Sequence, residues 1–394
     1  MRGFRSARDA SFAPGSLCAL VGEANAGKSN LLAAIRALLD PGAPELLADD
    51  ATAGGDGRIR IDGVLDDGRR VSIEAVPPRP SMADRAGAPP VLFLPASLRS
   101  GPVLAPTSRR GEAVARAFEL FEQAFAEQLT PERPARSATV PALSFLSAVE
   151  SCCSVGVSGL VLLIEEPELY LRPQAQRYLY RLLRALSLEG NQVVYSTHAP
   201  AFLNVARLEE LALVEHHAVL GTKVVQPAAL DLEEDFRVLT EFDAARSELL
   251  LARAALLVEG TTEKLVFPFV FQALGHDADR EAISIVECGG KSNIPLFARI
   301  CEATGVPFVA VHDRDAPAGR EPIVAERALN ALIEEVAGRE RTIVLVPDFE
   351  AVAGLKGRRH KPERAFERFA SLSGAEVPEP LARAAELALA MARD

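Results

Sequence analysis

Two groups of residues have types and spacings suited to phosphate chemistry. The first opens with Gly22-Glu23-Ala24-Asn25-Ala26-Gly27-Lys28-Ser29, a GxxxxGK[ST] pattern. Glycines there let the backbone wrap a chain of phosphates, and amides at the start of a following helix point at the anion. Lys28 reaches the β- and γ-phosphates and Ser29 holds Mg2+. Gly22, Asn25, Gly27, Lys28 and Ser29 are therefore the candidate nucleotide contacts. Further on, an apolar run at 160–164 ends in Glu165-Glu166-Pro167-Glu168. A strand ending in paired acids can orient a metal ion with its first carboxylate, Glu165, and activate a water with its second, Glu166. A third element, Tyr195-Ser196-Thr197-His198-Ala199-Pro200, places a histidine just past another strand-like run. An isolated histidine is usually structural, but the order and spacing of His198 after the acidic pair suit a γ-phosphate sensor.

The second group consists almost entirely of carboxylates. Leu256-Leu257-Val258-Glu259-Gly260-Thr261-Thr262-Glu263 sets Glu259 at a strand end and Glu263 four residues later at a helix start, with Gly260 allowing a sharp turn between them. Val309-Ala310-Val311-His312-Asp313-Arg314-Asp315 ends a second apolar strand in two more acids. Parallel neighbours would bring these ends together, at the edge where open α/β sheets carry their sites. Crowded carboxylates repel unless cations neutralise them, and hard oxygen ligands favour Mg2+ or Mn2+. One acidic pair would be a solvated loop; two, each ending an apolar strand, are hard to explain structurally.

The elements that must carry these residues follow from periodicity. Strands are expected at 16–21, 91–95, 159–164 and 192–196, helices at 29–39, 112–129 and 173–186, and an antiparallel hairpin at 58–61 and 70–75. A second series follows a helical, acidic stretch at 231–252. Its strands are expected at 254–258, 282–287, 308–312 and 342–346, and its helices at 262–274, 293–304 and 322–336. Alternation of this kind predicts α/β architecture with largely parallel sheets. Length agrees: 394 residues divided by about 150 per domain gives two or three domains, and the boundary is placed near residue 250.

Composition narrows the classes. An apolar content of 48% and a charged content of 25% fit a globular chain and not a disordered one. No apolar run approaches the length of a membrane span, and the first twenty residues lack a secretory apolar segment. The expectation is thus a cytoplasmic protein with no membrane partner. The five cysteines form no CxxC pair and read as buried apolar residues. Lys and Arg total 43 against 54 Asp and Glu, a net charge of −11. Such a chain binds nucleic acid only through a local basic patch and bound metal ions. The densest basic run is 356–362, Lys356-Gly357-Arg358-Arg359-His360-Lys361-Pro362, and beside an acidic metal site it suits contact with a phosphate backbone.

The first group resembles the ABC-type ATPase family, specifically its RecF/SMC-like branch, in which Glu-Pro-Glu and Thr-His-Ala-Pro follow the acidic strand. The resemblance implies ATP with Mg2+ as cofactors, Glu166 as general base, 168–171 as the D-loop and His198 as the switch histidine. It also implies hydrolysis between two head-to-tail copies. Glu165 stands where relatives carry aspartate and Arg172 where many carry histidine. A glycine-rich signature is missing before the acidic strand, where Ser137 and Ser144 are the candidates for a phosphate contact in a second copy. ATP binding is therefore expected ahead of rapid turnover.

The second group resembles the Toprim domain, with its Glu-Gly turn, its DxD and a small-residue turn at Gly289-Gly290-Lys291. All four tyrosines lie in the first half of the chain, which excludes a topoisomerase nucleophile in the second. Zinc-type cysteines of a primase are absent, and nuclease remains. An ABC-type ATPase followed by a Rossmann-like Toprim domain with a parallel sheet resembles the OLD (overcoming lysogenization defect) family of nucleases. Domains are then expected at 1–250 and 251–394, with a reduced helical lobe near 108–157. The resemblance implies two-metal cleavage of DNA, with Glu259, Glu263, Asp313, Asp315 and Glu350, in Asp348-Phe349-Glu350, as ligands or acid–base groups. Lys361 is similar to the family's catalytic lysine, suited to stabilising charge on the reacting phosphate. DNA, ATP, a second copy and a separate helicase are the implied partners, and phage defence or DNA repair the implied setting. The competing expectation is an ATP-gated DNA clamp or sensor whose Toprim half does not cut.

Overall fold

Apolar runs that are buried on both faces become the parallel central strands of two sheets, because only helices packed on each side can cover them. The computed structural model describes residues 1–99, 112–128, 139–230, 244–355 and 361–393, in two compact units, Met1–Ala229 and Leu230–Asp394.

In the first unit Leu17–Val21 is buried throughout. It lies between Gln192–Thr197 and Leu211–His217, both parallel to it, and the parallel run continues through Val161–Glu165 to Val91–Leu94. Register levels the strand ends: Val21 pairs with Thr197 and Ser196 with Glu165. The three chemical elements of the first group thus leave the sheet side by side. Beyond Leu211–His217 the sheet becomes antiparallel, through Gly221–Val225, Ala7–Asp9, Arg2–Phe4, Ile59–Val64, Arg70–Ala75 and Met82–Asp84. The expected hairpin is present, with Ile61 opposite Ile73 and both buried. The rest of this antiparallel wing departs from the largely parallel sheet expected, since its three-residue strands are too short to show a period.

Helix Lys28–Leu39 follows the phosphate loop directly and buries Leu31, Leu32, Leu38 and Leu39. Helix Pro173–Leu188 begins with proline, whose missing N–H costs nothing in the first turn. It buries Leu179, Leu183 and Leu186 at helical spacing. Helices Glu112–Gln128 and Thr139–Ser154 occupy the expected helical lobe and meet through Phe121 and Phe145, with ring centroids 5.8 Å apart. Ser144 is buried at 1% exposure within the second of these helices, so a nucleotide held by another copy cannot reach it; that expectation is corrected. Ser137 lies outside the described residues.

The second unit has a four-stranded sheet, all parallel, in the order Ile283–Glu287, Ala254–Val258, Phe308–Asp313, Thr342–Leu345. Helices Thr261–Ala273, Ile294–Thr304 and Val324–Ala337 form the crossovers. Two helices with no sequence-based expectation, Lys361–Phe369 and Glu379–Arg393, close the core: Ala365, Phe369, Leu381, Ala384 and Leu389 join the cluster of Phe267 and Phe271. The division between units falls at Ala229 and not near residue 250. The reason is local: the turns Ala244–Ser247 and Glu248–Leu251 bury Leu249 and Leu250, and Arg246 donates to the Glu287 carbonyl at 3.0 Å. This segment therefore belongs to the second unit. Among the described residues no helix is long and apolar enough to cross a membrane.

Candidate active site

The phosphate loop is shaped by steric limits. A Cβ on Gly22 would strike the Val214 carbonyl oxygen, and one on Gly27, at φ 110°, would strike the Thr222 and Ser6 hydroxyls. Asn25 takes the left-handed region at φ 64°, which asparagine tolerates better than most residues. Thr222 is the underlying brace: its hydroxyl donates to the Ala26 carbonyl at 3.0 Å and lies 2.7 Å from the Ser6 hydroxyl, which also accepts from Asn30. The Lys28 ammonium is folded back onto the Gly22 and Glu23 carbonyls, at 2.8 Å each. Burial lowers its pKa, and nearby Glu166 and Glu168 oppose that effect. Ser29 lies next to it, exposed at the start of the helix.

The acidic strand ends where expected. Glu165 accepts the Ala96 amide at 3.2 Å. Glu166 turns the chain at φ 43° and donates its amide to the Ser196 carbonyl at 3.0 Å. Glu168 has a role that sequence reading did not assign to it. One oxygen accepts the Thr197 hydroxyl at 2.9 Å and the His198 amide at 2.7 Å, which fixes the start of the histidine loop. The His198 side chain is exposed.

In the second unit all four parallel strands end at one cavity of about 780 Å3, lined by Glu259, Glu263, Asp313, Asp315, Glu350 and Lys361 together with Glu287 and Asp348. The strand tips are laced to one another. The Asp313 amide donates to Glu259 Oε1 and the Phe349 amide to Asp313 Oδ1, each at 2.7 Å. The second oxygen of each carboxylate is not spent on these bonds. Gly260 is extended at φ −147°, ψ −174°, so the turn after Glu259 does not rest on a glycine conformation; that expectation is corrected. The glycines that do need positive φ are Gly289 and Gly290, at 76° and 126°.

Asp348 is a helix N-cap, accepting the Ala351 amide at 2.8 Å. This leaves Glu350 as the cavity carboxylate of that segment, in contact with the Lys361 ammonium. Lys361 is the first residue of helix Lys361–Phe369; the rest of the basic run, 356–360, lies outside the described residues. A second lysine was legible in sequence only as the end of a small-residue turn. Lys291 is buried and bridges Asp315 Oδ2 at 2.6 Å and Glu326 Oε2 at 3.0 Å. Glu326, in the first turn of its helix, carried no sequence signal at all.

The electrostatics are those of carboxylates short of counter-charge. Burial first, then neighbouring Glu263 and Asp315, push Glu259 up to about 7 against the pull of the Asp313 amide and Lys291. Burial, Glu259 and Glu263 push Asp313 up to about 8. Glu263 is raised as well, again chiefly by burial. Burial would lower the Lys291 pKa, but its bonds to Asp315 and Glu326 outweigh this and raise it. Among the described residues no three acidic, histidine or cysteine side chains already converge as a metal cage. The donors nevertheless suit Mg2+ or Mn2+ in type: all are hard oxygens, and a cation would relieve the repulsion that raises Glu259 and Asp313. Glu259, Glu263 and Asp313 would hold it, because lysines already neutralise Asp315 and Glu350.

A P-loop ATPase domain followed by a Toprim domain is the class that this fold and these sites define. Residues 250–315 match the family described as overcoming lysogenization defect protein-like, TOPRIM domain, and residues 154–203 match the AAA ATPase domain. The chain is 37% identical over 239 residues to the OLD nuclease of Thermus scotoductus, covering 56% of this chain and 45% of that one. It is 29% identical over 164 residues to the Old nuclease of Escherichia phage P2, covering 40% and 28%. The SMC head domain from Thermotoga maritima is similar at 17% identity over 58% of this chain and 97% of that one, with a TM-score of 0.38. Over these regions the chain is similar to OLD-family nucleases. It spans less than half the length of these two curated relatives.

Proposed function

We propose that the protein is an ATP-binding, divalent-metal-dependent DNA endonuclease. One observation carries the reading: carboxylates from separate parallel strands line a single cavity whose Glu259 and Asp313 are held short of counter-charge. When bound there, Mg2+ or Mn2+ supplies activation of a water and stabilisation of the departing oxygen of a phosphodiester. The chain's own residues do the rest. Glu259, Glu263 and Asp313 hold the cation, Asp315 and Glu350 form the facing wall, and Lys361 presents positive charge to the scissile phosphate. Glu259, with a pKa close to neutrality, is also placed to exchange a proton at working pH.

In the first unit Gly22, Asn25, Gly27, Lys28 and Ser29 bind the ATP phosphates, Glu165 orients Mg2+, Glu166 is the general base and His198 meets the γ-phosphate. Two copies join through these heads. A cytoplasmic setting, a helicase partner, and a role in phage defence or DNA repair belong to the same proposal.

Incubation of the full chain with supercoiled plasmid and Mg2+ or Mn2+, with EDTA as control and ATP present or absent, tests it. Nicking that requires metal supports the reading, and no nicking with any metal contradicts it. That second outcome would favour an ATP-gated DNA clamp, the reading suggested by the lysines now paired with Asp315 and Glu350.

A further inference from the structure

Lysine heads usually reach into water, yet the Lys291 side chain is 8% exposed. Its path is built. Gly289 and Gly290 both take positive φ, and Asn293 ties the turn down by donating to the Cys288 carbonyl at 3.0 Å. Lys291 thereby meets two carboxylates from different elements. Glu326 lies on helix Val324–Ala337, and Asp315 stands just past the Phe308–Asp313 strand. Asp315 is itself fixed, at φ 60° with its amide donated to the Pro347 carbonyl at 2.9 Å. The ammonium therefore touches Asp315, which lines the cavity, while Glu326, outside the lining, holds it as well.

We propose that Lys291 is a positioning residue that acts as a built-in cation at Asp315, so that the pocket binds one divalent ion tightly and a second only in competition with this lysine. The inference rests on the metal-dependent reading above and refines it. Among the described residues the lysine bonds at the cavity go to Asp315, Glu326 and Glu350, and the side formed by Glu259, Glu263 and Asp313 takes the tight ion. The Asp315 side carries a positive charge already. A divalent ion there must displace the ammonium or share Asp315 with it, and like charges so close together weaken each other's binding.

Two variants move the second ion in opposite directions. Lys291→Met leaves Asp315 and Glu326 facing each other without their cation and should draw a divalent ion between them. Glu326→Gln removes the anchoring charge, leaves the lysine with Asp315 alone, and should weaken the second ion. Loss of packing alone would move both variants the same way.

The test is calorimetric titration of the full chain with Mn2+, without nucleotide or DNA, with bound ions counted by electron paramagnetic resonance. The wild type should hold one tight ion and a second weak one. Lys291→Met should tighten the second by about tenfold or more, Glu326→Gln should loosen it, and Lys291→Arg, which keeps the charge, should resemble the wild type. Should Lys291→Met fail to fold, Glu326→Gln decides, because an unchanged or tighter second ion in that variant overturns the proposal. Two equal ions in the wild type, or shifts of the same sign in both variants, overturn it while leaving the metal reading intact. No bound Mn2+ in any protein would overturn both.

Discussion

Asp313 gives its amide to Glu259 and takes the Phe349 amide on its own carboxylate, so Glu259 and Asp313 each hold a neighbouring strand tip in place. This separates two kinds of substitution. Asp313→Asn keeps an oxygen for the Phe349 amide but loses the charge. It should lower DNA cleavage by more than about a hundredfold with thermal stability not reduced and ATP binding unchanged, as read by plasmid nicking beside nucleotide titration. Full cleavage by that variant would remove Asp313 from the site. The raised pKa values give a second prediction. Glu259 and Asp313 ionise near 7 and 8 when folded, against ordinary values of 4.5 and 3.8. Over that range the folded state holds protons that the unfolded chain has released, so folding stability in EDTA should fall as pH rises from about 4 to about 8. Metal binding requires the ionised carboxylates, so Mn2+ affinity should rise over the upper part of the same range. Urea melts at pH 6 and pH 8.5, with EDTA and then with Mn2+, check both signs; stability that climbs with pH in EDTA would contradict the first.

Among elements, the phosphate loop depends on a brace far away in sequence. Thr222, at the start of the Gly221–Val225 strand, supports the Ala26 carbonyl and the Ser6 hydroxyl. Thr222→Val removes a buried hydroxyl with nearly the same shape, which costs about 1–3 kcal/mol. ATP affinity should fall by roughly tenfold while the overall fold persists, measurable with a fluorescent nucleotide; unchanged affinity would show that the loop holds its shape unaided. The phosphate loop itself, the Glu165–Glu166 strand end and the acids after 254–258 and 308–313 were legible because apolar runs that stop at polar residues mark sheet ends directly. The brace was not, because Ser6 and Thr222 sit in or beside strands too short or too exposed to show periodicity. Lys291 was visible only as the residue after two glycines, and Glu326 looked like any solvated helix residue. Their pairing exists through the crossover that lays helix Val324–Ala337 beside the sheet. The boundary near residue 250 was misplaced because Leu249 and Leu250 read as the end of one helical stretch, whereas the Arg246 bond to the Glu287 carbonyl ties that stretch to the second sheet.

For the whole molecule, the proposed function places two phosphate chemistries within a chain of net charge −11. Diffuse attraction to DNA is therefore weak, and binding must rest on local cations and metal ions. If the ATPase heads work in pairs, ATP with Mg2+ should convert monomer to dimer in sedimentation velocity. Lys28→Ala, which removes the ammonium now resting on the Gly22 and Glu23 carbonyls, should stay monomeric. An identical sedimentation profile with and without ATP would sink the pairing.

The claim on which the rest depends is that the cavity at the end of the second sheet holds a divalent cation. A crystal of the full chain soaked in Mn2+ and measured at the manganese absorption edge tests it most directly. The account predicts an anomalous peak within coordination distance of Glu259, Glu263 and Asp313. A soaked crystal with manganese bound elsewhere and none among those three carboxylates would contradict it.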